Sequence, residues 1–359
     1  MWTDLSAGAW LALAALAAFA AVAVLAHAAG WFTDARKRPP QHVSAPAAVK
    51  ERAAAPVDPV LRPERTTLGR YRIDRELGCG SMGTVYLGHD PRVDRPVAIK
   101  TMAFGREFEG SELAEARARF LREAEMAGRL QHPDIVTIHD ASEDQGLAFI
   151  AMEYVNGHDL LRHTAPGRLL PTTEVLHTVA RVALALAYAH TQGVVHRDVK
   201  PANVMIDLDT GTVKVTDFGI ASITDARRTR TGIMLGTPSY MSPEHLAGRR
   251  VDGRSDLYSL GVMLFQLLTG ALPHRGESMA ELLNQIANEA APDVRSLRPE
   301  LPEALADVLT LALQKRPELR YPDGRQMAAD LRSIADRLDA LAGPGAENSR
   351  LDPRHNAGH

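Results

Sequence analysis

Residues 194–206, VVHRDVKPANVMI, place Arg197, Asp198, Lys200 and Asn203 within seven positions between apolar, β-branched flanks. A carboxylate, an ammonium and a carboxamide so close together, where the pattern enters and leaves a core, are polarity that packing does not need. A second set lies upstream in YRIDRELGCGSMGTVYLGHD, residues 71–90. Gly78, Gly80 and Gly83 let a backbone pass close to phosphate oxygens and aim N–H groups at them. The chemistry suggested is the handling of a phosphate. A G-x-G-x-x-G run alone also fits a tight turn, and its dinucleotide-binding version opens a helix. Here Thr84, Val85 and Tyr86 continue as strand, which favours a hairpin flap over a dinucleotide turn.

These groups need elements to hold them. Alternation at Tyr71 and Ile73, and again at Val85 and Leu87, predicts two strands joined by the glycine loop. RPVAIK, residues 95–100, reads as a strand ending in Lys100, which taken alone is an ordinary edge residue. In the helical run that follows, residues 112–133, Phe120, Glu123, Ala127 and Leu130 share one apolar stripe while Glu125 turns outward. A carboxylate on such a stripe is costly unless it meets a cation, and Lys100 is the expected partner. GLAFIAMEYV, residues 146–155, predicts a strand that joins two halves of a molecule. A long helix over residues 173–193 then buries Val175, Leu176, Val179, Val182, Ala183 and Leu186, with Gly193 as its left-handed cap.

HRDVKPAN at 196–203, DFG at 217–219 and SPE at 242–244 resemble the catalytic loop, the metal-binding motif and the end of the activation segment of protein kinases. The glycine loop, Lys100 and Glu123 stand in the order that family requires. The resemblance is to the eukaryotic-like, Hanks-type Ser/Thr kinases of bacteria and covers about 265 residues. It implies an α+β, bilobal fold with a β-rich N-lobe over residues 70–155 and a helical C-lobe over 156–338. It further implies ATP and Mg²⁺ (or Mn²⁺) as cofactors and protein Ser/Thr hydroxyls as acceptors. Asp198 matches the base that orients the hydroxyl, Lys200 the lysine on the transferring phosphoryl, and Asn203 and Asp217 the metal ligands. Lys100, held by Glu123, matches the grip on the α/β-phosphates. By the same resemblance Gly78, Cys79, Gly80, Ser81, Met82, Gly83, Val85 and Ala98 surround the nucleotide. Met152 stands at the back of the adenine pocket, Glu153 and Val155 contact the purine through their backbone, and Asp159 meets the ribose. Asp256 matches the buried aspartate that braces the catalytic loop, and Arg320 the partner of Glu244.

The whole chain has 359 residues, 45% hydrophobic and 24% charged, with net charge −3 and one cysteine. That suits a large globular core, offers no electrostatic footprint for nucleic acid, and forbids an intrachain disulfide. Residues 7–26 carry no charge and are edged by Trp10 and Trp31, about 31 Å apart as a helix. A single transmembrane helix over residues 7–32 is expected, with residues 1–6 outside. Arg36, Lys37 and Arg38 leave the rest on the cytoplasmic side of a cell inner membrane. A signal peptide and a buried soluble helix are the competing readings. Residues 33–69 read as a Pro/Ala-rich linker and 339–359 as a disordered tail.

Thr229 and Thr231 lie among Arg227, Arg228 and Arg230, and Arg197 matches the family's receiver of an activation-loop phosphate. Trans-autophosphorylation within a homodimer is the resulting expectation. Two departures from the family matter. Relatives of this type commonly place their span after the kinase and continue into an external sensor; with the span first, no such sensor is expected here. Ala202 stands where basophilic kinases carry an acidic residue, so basic targets are not favoured. Cys79 reads either as a structural thiol or, at an accessible flap tip, as a target for oxidation. An ATP-binding scaffold without turnover is the alternative function; the intact set Lys100, Glu123, Asp198, Asn203 and Asp217 argues for catalysis.

Overall fold

A computed structural model describes residues 66–80, 83–102, 104, 110–218 and 238–342. All of these lie in one of the two compact units into which the chain divides, Pro59–His359. The expected membrane span, the linker before residue 66, the tail after 342, and the segment carrying Thr229 and Thr231 fall outside the described residues. Among the described residues no helix is long and apolar enough to cross a membrane.

The N-lobe is a six-stranded sheet. In chain order its strands are β1 (Thr67–Leu68), β2 (Tyr71–Gly80), β3 (Gly83–Asp90), β4 (Arg95–Met102), β5 (Ile138–Asp144) and β6 (Leu147–Glu153). The spatial order is β1-β2-β3-β4-β6-β5, every neighbour antiparallel. Helix α1 (Gly110–Gly128) sits between β4 and β5 in sequence. Period-two alternation sends Ala148 and Ile150 of β6 into a layer with Phe120 and Ala124 of α1. It sends Leu147, Phe149 and Ala151 to the opposite face, against Tyr71, Val97 and Ile99. Burial on both faces explains why this strand reads as one continuous apolar run.

The C-lobe is built on two apolar helices, α2 (Thr172–Thr191) and, after a short helical turn α3 (Pro243–Leu246), α4 (Gly253–Thr269). Helices α5 (Met279–Asn288), α6 (Glu303–Ala312) and α7 (Gly324–Ala342) complete it, and α7 packs along α2. A small sheet of β7 (His158–Asp159), β8 (Val204–Asp207) and β9 (Thr212–Val215) crowns the lobe. Gly193 adopts φ 77° after α2, as the left-handed cap requires. Only one apolar flank of the polar loop is strand. Val204 enters β8, whereas the Val194 N–H bonds to the Ala189 carbonyl, so the leading flank finishes the helix cap instead of joining a sheet.

Helix α3 is fixed by a buried ion pair. Arg320 donates from both terminal nitrogens to the two Glu244 oxygens at 2.7 Å, lies over the Tyr258 ring, and is joined at the carboxylate by the Ser255 hydroxyl. Burial pushes the Glu244 carboxyl up, but the Arg320 and Ser255 bonds outweigh it and hold it below its ordinary 4.5. Its contribution to stability is therefore present above that pH and lost as pH falls through the lowered folded value. Arg320→Ala leaves the carboxylate buried without its cation, and denaturant titration at neutral pH should register a loss of about 3–5 kcal/mol. The double variant Glu244→Leu, Arg320→Met should lose far less and show a flatter acid limb.

Candidate active site

The polar loop is held from beneath by α4. Asp252 caps that helix by accepting from the Arg254 N–H, which sets Asp256 one turn in, 1% exposed. The Asp256 carboxylate accepts from the His196 N–H at 2.9 Å, the Arg197 N–H at 2.8 Å and His190 Nε2 at 2.7 Å. Arg197 is thereby kept at φ 67°, a conformation that non-glycine residues rarely hold unaided. His196 continues the brace. Its Nδ1 accepts from the Asp198 N–H, so Nε2 carries the proton donated to the Thr216 carbonyl, and its ring lies against Phe218.

Asp198 is reached from two sides. Lys200 Nζ donates to Oδ2 at 2.7 Å; Asn203 Nδ2 donates to the same oxygen at 3.0 Å and to the Asp198 carbonyl at 2.7 Å. With both N–H groups turned to Asp198, Asn203 keeps Oδ1 as the oxygen it can offer a cation. The Thr216 N–H bonds to the Asn203 carbonyl, which brings Asp217, at φ 64°, beside the loop. Lys100 donates to Asp217 Oδ2 at 2.7 Å. Burial raises the Asp217 carboxyl, Lys100 beside it more than offsets this, and the group stays below its ordinary range. The donor set is thus a carboxylate and a carboxamide oxygen, the hard ligands Mg²⁺ takes alongside water and phosphate oxygens.

A cleft of about 370 Å³ lies between the lobes, within the range of nucleotide-sized sites. It gathers Gly78, Val85, Ala98, Lys100, Met152, Glu153, Val155, Asp159 and Asp217 of the residues expected at a nucleotide. Met152 also lines a smaller neighbouring pocket with Lys100, Asp217 and Phe218. Of the three flap glycines only Gly83 is demanded by the fold: its φ is 145°, and a Cβ there would meet the Thr101 carbonyl at 1.8 Å. A Cβ on Gly78 would touch nothing in the protein, so its absence leaves room in the cleft for a ligand. Cys79 is exposed on β2, while Ser81 and Met82 lie outside the described residues.

Glu123 departs from expectation. It is half-buried on the stripe beside Phe120, Ala127 and Leu130, yet among the described residues the ion pair of Lys100 is with Asp217 and not with Glu123. Asp159 has a second duty, accepting from the Leu161 N–H to cap a 3-10 turn, Leu160–His163. Leu77, Tyr154 and Met205 also line the cleft and were not anticipated. Met205 was findable: in β8, Val204 and Ile206 go to the core, so period two turns Met205 to the opposite face.

The cleft is also braced from behind. The Glu153 carboxylate turns away from it to Lys214 Nζ at 2.8 Å and to the Thr137 N–H at 3.2 Å, while its own N–H bonds to the Thr137 carbonyl. Since Lys214 belongs to β9 and Glu153 ends β6, this pair ties the strand between the lobes to the C-lobe sheet.

The model of the protein kinase domain family matches residues 71–328. The chain is 40% identical over 275 residues to the Serine/threonine-protein kinase PrkC of Bacillus subtilis, covering 76% of this chain and 42% of that one. It is 41% identical over 268 residues to the Serine/threonine-protein kinase PknJ of Mycobacterium tuberculosis, covering 72% and 44%. It therefore spans less than half the length of these curated relatives. Among solved structures, the PknI kinase domain of Mycobacterium tuberculosis is 36% identical with a TM-score of 0.61, covering 75% of this chain and 97% of that one.

Lys214→Met removes the rear brace without touching a ligand. Titration with a fluorescent ATP analogue should give an affinity about three- to tenfold weaker, at most ~1.4 kcal/mol. An unchanged affinity would mean that the brace does not position the strand.

Proposed function

The chain belongs to the protein kinase family, and on that premise we propose that it transfers the γ-phosphoryl group of ATP to Ser and Thr hydroxyls of proteins. The observation that carries this reading is the direct hydrogen bonding of Lys200 and Asn203 to Asp198, beside the Lys100–Asp217 pair. In the transfer, the acceptor oxygen bonds to the γ-phosphorus as the bond from that phosphorus to the β,γ-bridging oxygen breaks, and ADP leaves. Asp198 orients the acceptor hydroxyl and takes its proton. Lys200 offsets charge on the transferring group, and Lys100 holds the α/β-phosphates. Asn203 Oδ1 and the Asp217 carboxylate would hold Mg²⁺, or Mn²⁺ in its place, which when bound would neutralise the phosphate oxygens. Little covalent chemistry is asked of the protein; position and charge are what it contributes.

Two further parts of the reading concern control and place. Thr229 and Thr231 are the proposed sites of trans-autophosphorylation within a homodimer. Arg197 supports this: its Nε is buried without a hydrogen-bond partner among the described residues, beside Asp198, where a phosphate could pair with the guanidinium. Residues 7–32 are proposed to anchor the chain in the inner membrane with the kinase domain in the cytoplasm, on the strength of their uncharged run and tryptophan edges.

The test is transfer of labelled γ-phosphate from ATP·Mg²⁺ by the full chain, with mass spectrometry of residues 219–237. Wild type should label itself at Thr229, Thr231 or both. Asp198→Asn should bind ATP but transfer about 10²- to 10⁴-fold more slowly. ATP binding without transfer in wild type would instead support the scaffold reading, and transfer with that segment unmodified would remove the autophosphorylation proposal alone.

A further inference from the structure

His158 and His163 face each other at the edge of the nucleotide cleft, their Nε2 atoms 2.9 Å apart and their ring centroids 5.2 Å apart. His158 belongs to β7 and lines the cleft; His163 ends the 3-10 turn that Asp159 caps. The pairing is set by more than proximity. His163 Nδ1 lies 2.9 Å from the Arg168 carbonyl, which can only accept, so in the neutral ring Nδ1 carries the proton and Nε2 presents its lone pair. A histidine whose other nitrogen donates to a carbonyl has the arrangement that protein metal ligands adopt. That lone pair meets the Nε2 of His158.

Two imidazole nitrogens converging in this way can share a proton or a metal ion. At Zn–N distances of about 2.0–2.1 Å, tetrahedral geometry separates two nitrogen ligands by about 3.3 Å, so the two Nε2 atoms, now in direct hydrogen-bond contact with their rings nearly in line, must part by roughly 0.4 Å and both rings must tilt toward the ion. Both rings are half-buried, so solvent reaches them and water can complete the coordination. The surroundings favour a cation. Asp207 follows Ile206, the register partner of His158. Its carboxyl is held below the ordinary range chiefly by the Thr210 hydroxyl, against burial, with the Asp209 and Thr210 N–H groups and His158 contributing less. Among the described residues no group of three metal-ligating side chains occurs, so the site is a pair completed by solvent.

We propose that His158 and His163 form a two-histidine site for one divalent transition-metal ion of the Zn²⁺, Co²⁺ or Ni²⁺ type. Imidazole ligands select these ions over Mg²⁺, whose hard-oxygen site lies at Asn203 and Asp217. The metal takes the place of the proton between the rings and ties β7 to the end of the 3-10 turn beside Asp159.

The experiment uses the full chain, stripped with chelator and held in saturating Mg²⁺, titrated with Co²⁺ while visible absorption is followed and with Zn²⁺ by calorimetry. One equivalent should bind to wild type. His163→Gln should weaken that event at least about tenfold, whereas His177→Gln, an exposed histidine paired with Asp339, should leave it unchanged. In parallel, nitrogen NMR of wild-type histidine side chains should show Zn²⁺ shifting the Nε2 resonances of His158 and His163, a readout that needs no variant to fold. Equal binding in wild type and His163→Gln, or Zn²⁺ shifts confined to other histidines, would overturn the proposal.

Discussion

The site depends on one buried carboxylate. Asp256 is 1% exposed, and an anion so placed is tolerable only when donors surround it. Its three partners come from two chain segments, the end of α2 through His190 and the polar loop through the His196 and Arg197 N–H groups. The same bonds stabilise a left-handed backbone at Arg197 that costs roughly 1–3 kcal/mol by itself. The residue after that strained position is Asp198. Ser255, its neighbour on α4, reaches Glu244 and so links the brace to the Arg320 pair. The first turn of one helix thus organises both the loop and the α3 turn.

Charge in the cleft is self-paired. Each lysine rests on a carboxylate, Lys100 on Asp217 and Lys200 on Asp198. In the proposed reaction these pairs exchange partners: phosphate oxygens take the lysines, a divalent cation takes Asp217, and a hydroxyl takes Asp198. Such an exchange trades one set of charge-assisted bonds for another and needs no large refolding of the loop.

Much of this was legible in the amino-acid sequence because the signals were local. Glycines followed by strand residues read as a hairpin, the 3.6-residue stripe placed Phe120, Ala127 and Leu130, and Gly193 ended α2 where expected. The cleft residues Met152, Val155 and Asp159 followed from motif order. What was not legible depends on long-range partners. β5, IHDASED, is polar and lacks alternation, so nothing local marks it as the strand that completes the sheet. The pairing of Lys100 with Asp217 joins residues far apart in the chain, as does the pairing of Glu153 with Lys214. Val194 and Val195 are β-branched, a type favoured in strands, but the preceding helix cap takes the Val194 N–H.

The most direct test of the Asp256 brace is the steady-state kinetics of Asp256→Asn beside its thermal unfolding. An amide keeps the shape but turns an N–H toward a donor, breaking at least one of the three bonds. The brace predicts a kcat about 10²-fold lower, from a misplaced Asp198, with the KM for ATP little changed and the protein still folded. An unchanged kcat in a folded variant would show that the loop holds its geometry without Asp256 and would contradict the account.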